Sequence, residues 1–463
     1  MKSPLLIAFF GTLWVGCNTS HQEQEPLRVS DINPRYFTDG SGKAVYLTGS
    51  HTWNNLVDMH TAAQPDTFNF QAYLDFMESY HHNFMRLWAW ELFNWNTSGN
   101  NEEDPKIHQV GPHPWERIGP GNAVDGKPKF DLTKFNPDYF ERLRQRVLAA
   151  QERNIYVAIM LFEGWGLQFS PDAFMNHPFY PMNNINEMEL DTAADRRLEI
   201  HELVHDKVLE IQEAYVKKVI ETVHDLNNVL YEISNENHPP SSEWQYHMIN
   251  LIKDYEKELG TQHPVGMTFQ YKGGSNQTLF DSPAEWISPN AEGGYRDDPP
   301  AADGKKVIIT DTDHLWGIGG NRQWVWKSFL RGMYPIFMDP YDEKVLEGAY
   351  NARNMDAEMI RKNMGYTMEY AQKMDLIHMV PDTVVSSSKY CLANKGTEYL
   401  VYIPEGNSVE LNLSEANGDF NVEWFEPATG TKEEDTPIEG GTTIQLTAPF
   451  SSGEAVLYVK AGD

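Results

Sequence analysis

Apolar residues recur along this chain in two alternating textures. Short runs rich in Val, Ile, Leu and aromatic residues read as strands: Ala44–Ser50, Asn83–Trp88, Ile155–Phe162, Asn228–Ser234, Pro264–Gln270, Glu285–Ser288, Lys306–Thr312 and Tyr334–Met338. Between several of them lie segments with a 3.6-residue period: Phe70–Tyr80, Tyr139–Arg153, Leu209–His224, Trp244–Leu259 and Trp324–Gly332. In the first of these, Tyr73, Phe76, Met77 and Tyr80 share one helical face. Strands apolar on both faces that alternate with helices predict a parallel sheet. Eight repeats predict a closed (β/α)8 TIM barrel. Ahead of the first repeat, Arg35–Thr38 and Ala44–Thr48 flank a turn, Asp39-Gly40-Ser41-Gly42-Lys43.

Near Asp356–Lys373 a last helix is predicted, and then the texture changes. Short strands punctuated by turn residues follow: Lys389–Leu392, Tyr399–Ile403, Val409–Leu413, Val422–Phe425, Thr443–Leu446 and Ala455–Val459, with Gly406-Asn407, Asn417-Gly418 and Gly440-Gly441 between them. They predict a small all-β sandwich. The barrel is placed at residues 28–379 and the sandwich at 380–463. The sandwich holds one tryptophan, Trp424, and no cluster of aromatics, so it is expected to pack on the barrel, with Trp424 in its core, and not to grip a glycan. Long segments follow the second and third strands, Leu92 to Pro128 and Trp165 to Asp195, where this fold builds its sites.

The first residues have another texture. Lys2 precedes an apolar run, Leu5 to Val15, too short to span a bilayer, which ends in Trp14-Val15-Gly16-Cys17. Residues 1–17 read as a signal peptide with a lipobox-like end, and 18–27 as a polar tether. Lipidation of Cys17 is the expectation, which makes the protein an exported lipoprotein, periplasm-facing or at the cell surface, touching a membrane only through its lipid. Cys391 is the other cysteine, so no intrachain disulfide is expected.

Among 463 residues, 37 Lys+Arg against 67 Asp+Glu give a net charge of −30. That charge argues against nucleic acid and anionic membrane surfaces as partners. The candidate chemistry lies at strand ends. Tyr231-Glu232-Ile233-Ser234-Asn235-Glu236-Asn237-His238 ends the fourth strand and is stopped by Pro239-Pro240. Lys306-Val307-Ile308-Ile309-Thr310-Asp311-Thr312-Asp313-His314 ends the seventh. Two carboxyls at the same end of two barrel strands are what glycoside hydrolysis requires. Glu236 is the candidate acid/base. Asp311 stands in the register of a strand-end nucleophile, with Asp313 the alternative on the same face of an extended strand.

Around them the strand ends bring His51 and Trp53; Arg86, Trp88 and Trp90; Glu163 and Trp165; Asn235 and His238; His314 and Trp316; and Asp339 as candidate substrate contacts. Arg86 would hold the nucleophile ionised. The tryptophans would offer flat faces to sugar C–H groups. Glu91, Glu163 and Asp339 are rival carboxylates. No cofactor is implied. A competing signal is His201-Glu202-Leu203-Val204-His205, the H-E-x-x-H zinc peptidase pattern on an expected helix running from Leu198 to Val223. Such a helix would lie on the outer layer, remote from the strand ends. Val208 stands where the longer form of the motif needs Gly, and no companion motif supplies a third ligand, which leaves Glu221 as the candidate. A further alternative is a non-catalytic glycan-binding lipoprotein.

These motifs resemble the apiosidase-like (β/α)8 glycoside hydrolases. Arg35-Tyr36-Phe37 and Tyr46-Leu47-Thr48-Gly49-Ser50-His51-Thr52-Trp53 look like that family's opening. Tyr231 to Glu236 is similar to the fourth-strand motif of the wider clan of retaining barrel glycosidases. Val422-Glu423-Trp424-Phe425-Glu426-Pro427-Ala428-Thr429-Gly430 looks like the small β domain, labelled collagen-binding, that often follows such barrels. The wider clan usually carries Glu on the seventh strand, where this chain has Asp311-Thr312-Asp313. The resemblance implies a barrel glycosidase; with the residues above, the reading is a hydrolase of plant or algal glycans working by double displacement, with Glu236 protonating the leaving oxygen and Asp311 attacking.

Overall fold

A computed structural model describes residues 25–61, 67–99, 106–193, 197–341, 345 and 356–462. The leader, Cys17 and most of the tether lie outside the described residues. The first half of the barrel runs β1 (Gly49–His51), α1 (Phe70–Ser79), β2 (Phe84–Trp88), α2 (Pro137–Gln151), β3 (Tyr156–Glu163), α3 (Gly164–Phe169), α4 (Asp206–Val223) and β4 (Val229–Asn235). The second half runs α5 (Ser242–Leu259), β5 (Val265–Thr268), α6 (Asn276–Asp281), β6 (Trp286–Ser288), β7 (Val307–Asp311), α7 (Thr312–Trp316), α8 (Arg322–Leu330), β8 (Tyr334–Met338) and α9 (Ala357–Lys373). The eight strands form one parallel sheet in ring order β1-β8-β7-β6-β5-β4-β3-β2.

Local chemistry sets the helix starts. Asn69, Asn136 and Asn321 accept from first-turn backbone N–H groups, and Pro137 occupies the first turn of α2, where its missing N–H costs nothing. The ring closes between β1 and β2 through Asn83, whose N–H reaches the Thr48 carbonyl at 3.0 Å and whose side chain accepts from Thr48 N–H at 3.0 Å. Gly49 is required there, since a Cβ would lie 2.2 Å from the Phe84 carbonyl oxygen. The first predicted strand is accordingly much shorter than its apolar run: Val45 makes only an isolated bridge to Phe37, and Gly49–His51 alone joins the barrel.

The segment after β2 is built, not loose. Asn94–Asn96 and Asp58–His60 flank Ile107–Gly111 in a three-stranded sheet, and Trp115–Asn122 pairs with Pro128–Phe135. After α9 comes the β domain: a short strand Val380–Pro381, β9 (Cys391–Asn394), β10 (Glu398–Ile403), β11 (Ser408–Asn412), β12 (Asp419–Glu426), β13 (Thr431–Glu439), β14 (Thr443–Thr447) and β15 (Ala455–Ala461). One sheet has the order Val380–Pro381, β9, β10, β15, β12, β13, and β11 pairs with β14.

Trp424 is buried in the core of this domain. The opposite face of its larger sheet packs on the barrel. Tyr402, Phe425 and Tyr458 join Trp326, Phe329 and Tyr370 in one apolar cluster, and Tyr402 stacks on Trp326 at 6.2 Å. Polar ties frame it: Arg322 to Glu454 at 2.9 Å and Tyr370 to Glu423 at 2.9 Å. The expected docking of sandwich on barrel is therefore what the fold contains.

Candidate active site

Period-2 alternation along β2 and β4 sends Arg86 and Glu232 inward, where they meet. Arg86 is 1% exposed, and its guanidinium is wholly engaged. It donates to both Glu232 oxygens at 2.8 and 2.6 Å, to Asp311 at 2.9 Å, to Asp313 at 3.2 Å and to the Asn235 side-chain oxygen Oδ1 at 2.6 Å. One cation thus bridges the ends of β2, β4 and β7. Its planar fork of donors suits several acceptors at once, which a lysine could not match.

The two β7 aspartates differ in kind. They do not share a strand face, which corrects the extended-strand expectation. Asp311 ends β7 and caps α7, accepting from Asp313 N–H at 2.9 Å. Asp313 lies in the first turn of α7. Asp311 is fully buried and also meets His51 Nε2 at 2.9–3.0 Å. The Trp88 indole N–H donates to His51 Nδ1 at 2.9 Å, so the His51 proton sits on Nε2 and points at Asp311. Burial opposes charge on Asp311, but His51 and Arg86 outweigh it and hold the carboxyl well below the usual range.

Asp313 has one donor, Arg86, and keeps some exposure. Burial, and then the Asp311 charge, push it up to about 6. Glu236 follows β4 in a left-handed conformation, φ 43°. Burial raises its carboxyl well above the ordinary value, and among nearby charges Asp313 contributes most. The site therefore gathers, at the ends of two strands, a glutamic acid whose burial favours the protonated form and two aspartates of opposite tendency. Asn235 accepts from Arg86 and, at 3.3 Å, from His314, whose Nδ1 meets the Ser288 hydroxyl at 2.7 Å. Burial drives His314 down to about 3, so it serves as a neutral donor.

Other expected contacts are placed differently. Trp53, Trp88 and Trp90 are buried and present no face to solvent: Trp88 orients His51 and lies 4.8 Å from the Arg86 guanidinium. Trp165 and Trp316 remain partly exposed. Asp339 is paired with Arg361 through both oxygens and accepts from Tyr341 N–H. Glu163 caps α3, accepting from Trp165 N–H at 2.9 Å and Gly166 N–H at 2.7 Å, while burial pushes it up to about 8. Glu91 lies behind the strand ends with His177 at 3.1 Å and His201 at 3.3 Å. Against burial, these histidines hold its carboxyl below the usual range.

The H-E-x-x-H residues are not on one helix. His201 ends a 3-10 turn, Arg197–His201, and His205 is the residue before α4. Their imidazoles turn to different carboxylates, His201 to Glu91 and His205 to Glu199 at 3.2 Å, and no shared metal position results among the described residues. Nor is the segment remote from the strand ends: His201 meets Asn237 and Glu202 meets His238. His238 is buried in that contact. Among the described residues, the three-residue group that could hold a cation is Asp311, Asp313 and His314, where the Arg86 guanidinium already supplies positive charge.

Two of the residues that the sequence does not single out differ in how visible they are. Glu232 carried a signal, a lone acid inside an apolar strand. His177 carried none, because its partner Glu91 is distant in sequence.

The fold and this cluster define a (β/α)8 barrel with a two-carboxyl centre at its strand ends and a β sandwich appended. One family model, described as "Domain of unknown function (DUF6298)", matches residues 111–273. Another, described as "Putative collagen-binding domain of a collagenase", matches residues 377–459. No curated protein sequence gives a significant match. Among solved structures, the chain is similar to one titled a glycoside hydrolase, with TM-score 0.61 at 13% identity, covering 95% of this chain and 97% of that one. It is also similar to a glycoside hydrolase family 5 protein from Bacteroides vulgatus ATCC 8482, with TM-score 0.60 at 12% identity, covering 94% and 93%. At such identities the shared property is the fold, barrel and sandwich together.

Proposed function

We propose that the chain is a glycoside hydrolase that cleaves plant or algal glycans by double displacement, with Glu236 as acid/base and Asp313 as nucleophile. The observation that carries this reading is the placement, at the ends of β4 and β7, of a buried glutamic acid and an aspartate that accepts from Arg86 through one oxygen. In the first step Asp313 attacks the anomeric carbon while the Glu236 proton passes to the departing oxygen. In the second, Glu236 takes a proton from water, which displaces Asp313 and releases the sugar. Asp311, saturated by His51, Arg86 and a backbone N–H, holds the first turn of α7 in place. Arg86 spreads positive charge over both aspartates.

Two further supports point to a carbohydrate. The fold relatives named above are glycoside hydrolases. Trp165, Phe169 and Tyr271 form a partly exposed aromatic row after β3 and β5, with ring centroids 5.7 and 5.3 Å apart. Such faces suit sugar C–H groups. The residues this scheme uses need no cofactor.

A panel of plant and algal glycans and 4-nitrophenyl glycosides tests the reading. Sugar release by the wild type is expected, with losses of about 10²–10⁴-fold in Glu236→Gln. Azide should restore turnover to Asp313→Ala and give a glycosyl azide of inverted configuration. Azide rescue of Asp311→Ala in its place would move the nucleophile to Asp311. Failure of the wild type on the whole panel would sink the reading.

A further inference from the structure

The acid/base sits on a backbone that an L-residue resists. Glu236 has φ 43°, a left-handed conformation that strains a non-glycine residue and persists only where the surroundings over-determine it. Three independent ties surround this residue. The Gln168 side-chain amide donates to the Glu236 carbonyl at 2.8 Å, and α3 presses on the next residue, since a Cβ on Gly164 would lie 2.4 Å from Asn237 Cα. Asn237 is 1% exposed and uses its whole amide. It donates to Ser234 Oγ at 2.9 Å and to His201 Nδ1 at 2.9 Å, and accepts from His238 N–H at 2.9 Å and His238 Nδ1 at 2.8 Å. His238 Nε2 then lies 2.9 Å from Glu202.

Two consecutive residues, His201 and Glu202, therefore grip the two residues that follow the acid/base. The grip is anchored from behind. His201 is fully buried, stacks on Trp244 at 4.7 Å, and directs its Nε2 proton at Glu91. Glu91 in turn accepts from Glu163 N–H at 2.9 Å, at the end of β3. The tautomer follows from the donors: Asn237 donates to His201 Nδ1, so the His201 proton is on Nε2. The chain Glu91–His201–Asn237–His238–Glu202 is continuous, and each imidazole nitrogen and amide atom in it has a partner.

We infer that the H-E segment of the H-E-x-x-H motif is a positioning bracket for the acid/base: His201 acts through Asn237, and Glu202 through His238, to hold the Glu236 carboxyl where it can deliver its proton. None of these four residues touches a reacting atom in this scheme. The inference rests on the glycosidase reading, and it assigns to proton delivery a motif that would otherwise suggest zinc.

The test uses the full chain and aryl glycosides of the sugar that the panel identifies, with leaving groups from 2,4-dinitrophenol to unsubstituted phenol. A misplaced acid slows departure of poor leaving groups most. Glu202→Ala and Asn237→Ala should therefore lower kcat/KM about 10–100-fold for phenyl glycosides and much less for dinitrophenyl glycosides, steepening the leaving-group dependence. With the dinitrophenyl substrate kcat should fall along with KM, because the second step then lacks its base, and azide should raise kcat with retained configuration. Glu202→Gln, whose side-chain amide can still hydrogen-bond to His238 Nε2, should restore the wild-type slope.

Equal losses across all leaving groups would show a merely structural role and overturn the inference, as would unchanged kinetics in both variants. If Asn237→Ala does not fold, Glu202→Ala, at a partly exposed position, decides alone. One equivalent of zinc per chain that is lost in Glu202→Ala would also overturn it. A wild type inactive on every glycoside would fail the glycosidase reading itself, and this inference with it. Slopes unchanged in an active enzyme fail the inference only.

Discussion

Replacing Asp313 by Asn is expected to stabilise the protein at neutral pH while abolishing turnover. Asp313 is 7% exposed and shares Arg86 with two other carboxylates. Burial and the Asp311 charge raise it from 3.8 to about 6. A raised carboxyl means that the folded state holds a proton which the unfolded chain has already lost. Stability therefore falls as pH rises between about 4 and 6, and stays lower above that window. Two units at about 1.4 kcal/mol each make the cost of ionisation about 3 kcal/mol at pH 7.5. Asn carries no charge, so that cost disappears. With an unfolding entropy of about 2 cal/mol/K per residue over roughly 430 folded residues, the gain is about 3 °C in Tm.

The assay is thermal unfolding of wild type and Asp313→Asn at one scan rate, at pH 7.5 and at pH 4. The variant should melt about 3 °C higher at pH 7.5. Most of that difference should vanish at pH 4, where the wild-type side chain is protonated in the folded protein. A variant that is less stable at pH 7.5, or whose advantage is the same at both pH values, refutes the electrostatic account of Asp313. The same titration should shape activity: kcat/KM is expected to fall on the acid side as pH drops through about 6, where the Asp313–Glu236 pair takes up its second proton.

Asp311→Asn should do the opposite. Its carboxyl is depressed, so its stabilisation is present above about pH 4 and lost below; removing it leaves Arg86 short of a partner and costs about 3–5 kcal/mol at neutral pH, read by urea unfolding. A stabilised Asp311→Asn would contradict the assignment of the two aspartates. At the other end of the barrel, Phe425→Ala should cost about 3–5 kcal/mol by emptying the space beside Trp326, 5.6 Å away, and cutting the chain near Val380 should make the barrel melt earlier or aggregate. An unchanged Tm in both would show that the sandwich does not support the barrel.

The barrel was legible because its strands are buried on both faces and its helices on one. These two periodicities can be told apart in a linear sequence. Tyr334–Met338 was predicted to the residue, since it is continuously apolar and flanked by Gly332 and Asp339. In the sandwich, β13 was not predicted, because Thr431–Glu439 is nearly all polar and exposed and shows no alternation to read. Its pairing with β12 supplies the reason it is a strand. The first barrel strand is shorter than its apolar run because Tyr46 is buried by side-chain packing on the sequence-distant Phe329 and Tyr334, not by backbone pairing in the barrel sheet.

By itself the sequence determined that carboxyls would crowd the ends of the fourth and seventh strands, because strand position and side-chain type are local properties. It could not decide how those carboxyls divide their roles. Asp311 and Asp313 are two residues apart, and only the turn of the chain from β7 into α7 gives one His51, Arg86 and a backbone N–H as partners and the other Arg86. Nor could it decide what the H-E-x-x-H segment does. His201 meets Glu91 across 110 positions and Asn237 across 36, and a spacing motif contains neither distance. Charge, burial and hydrogen-bond partners come from residues far apart in the chain, so the protonation state of each acid is a property of the tertiary structure.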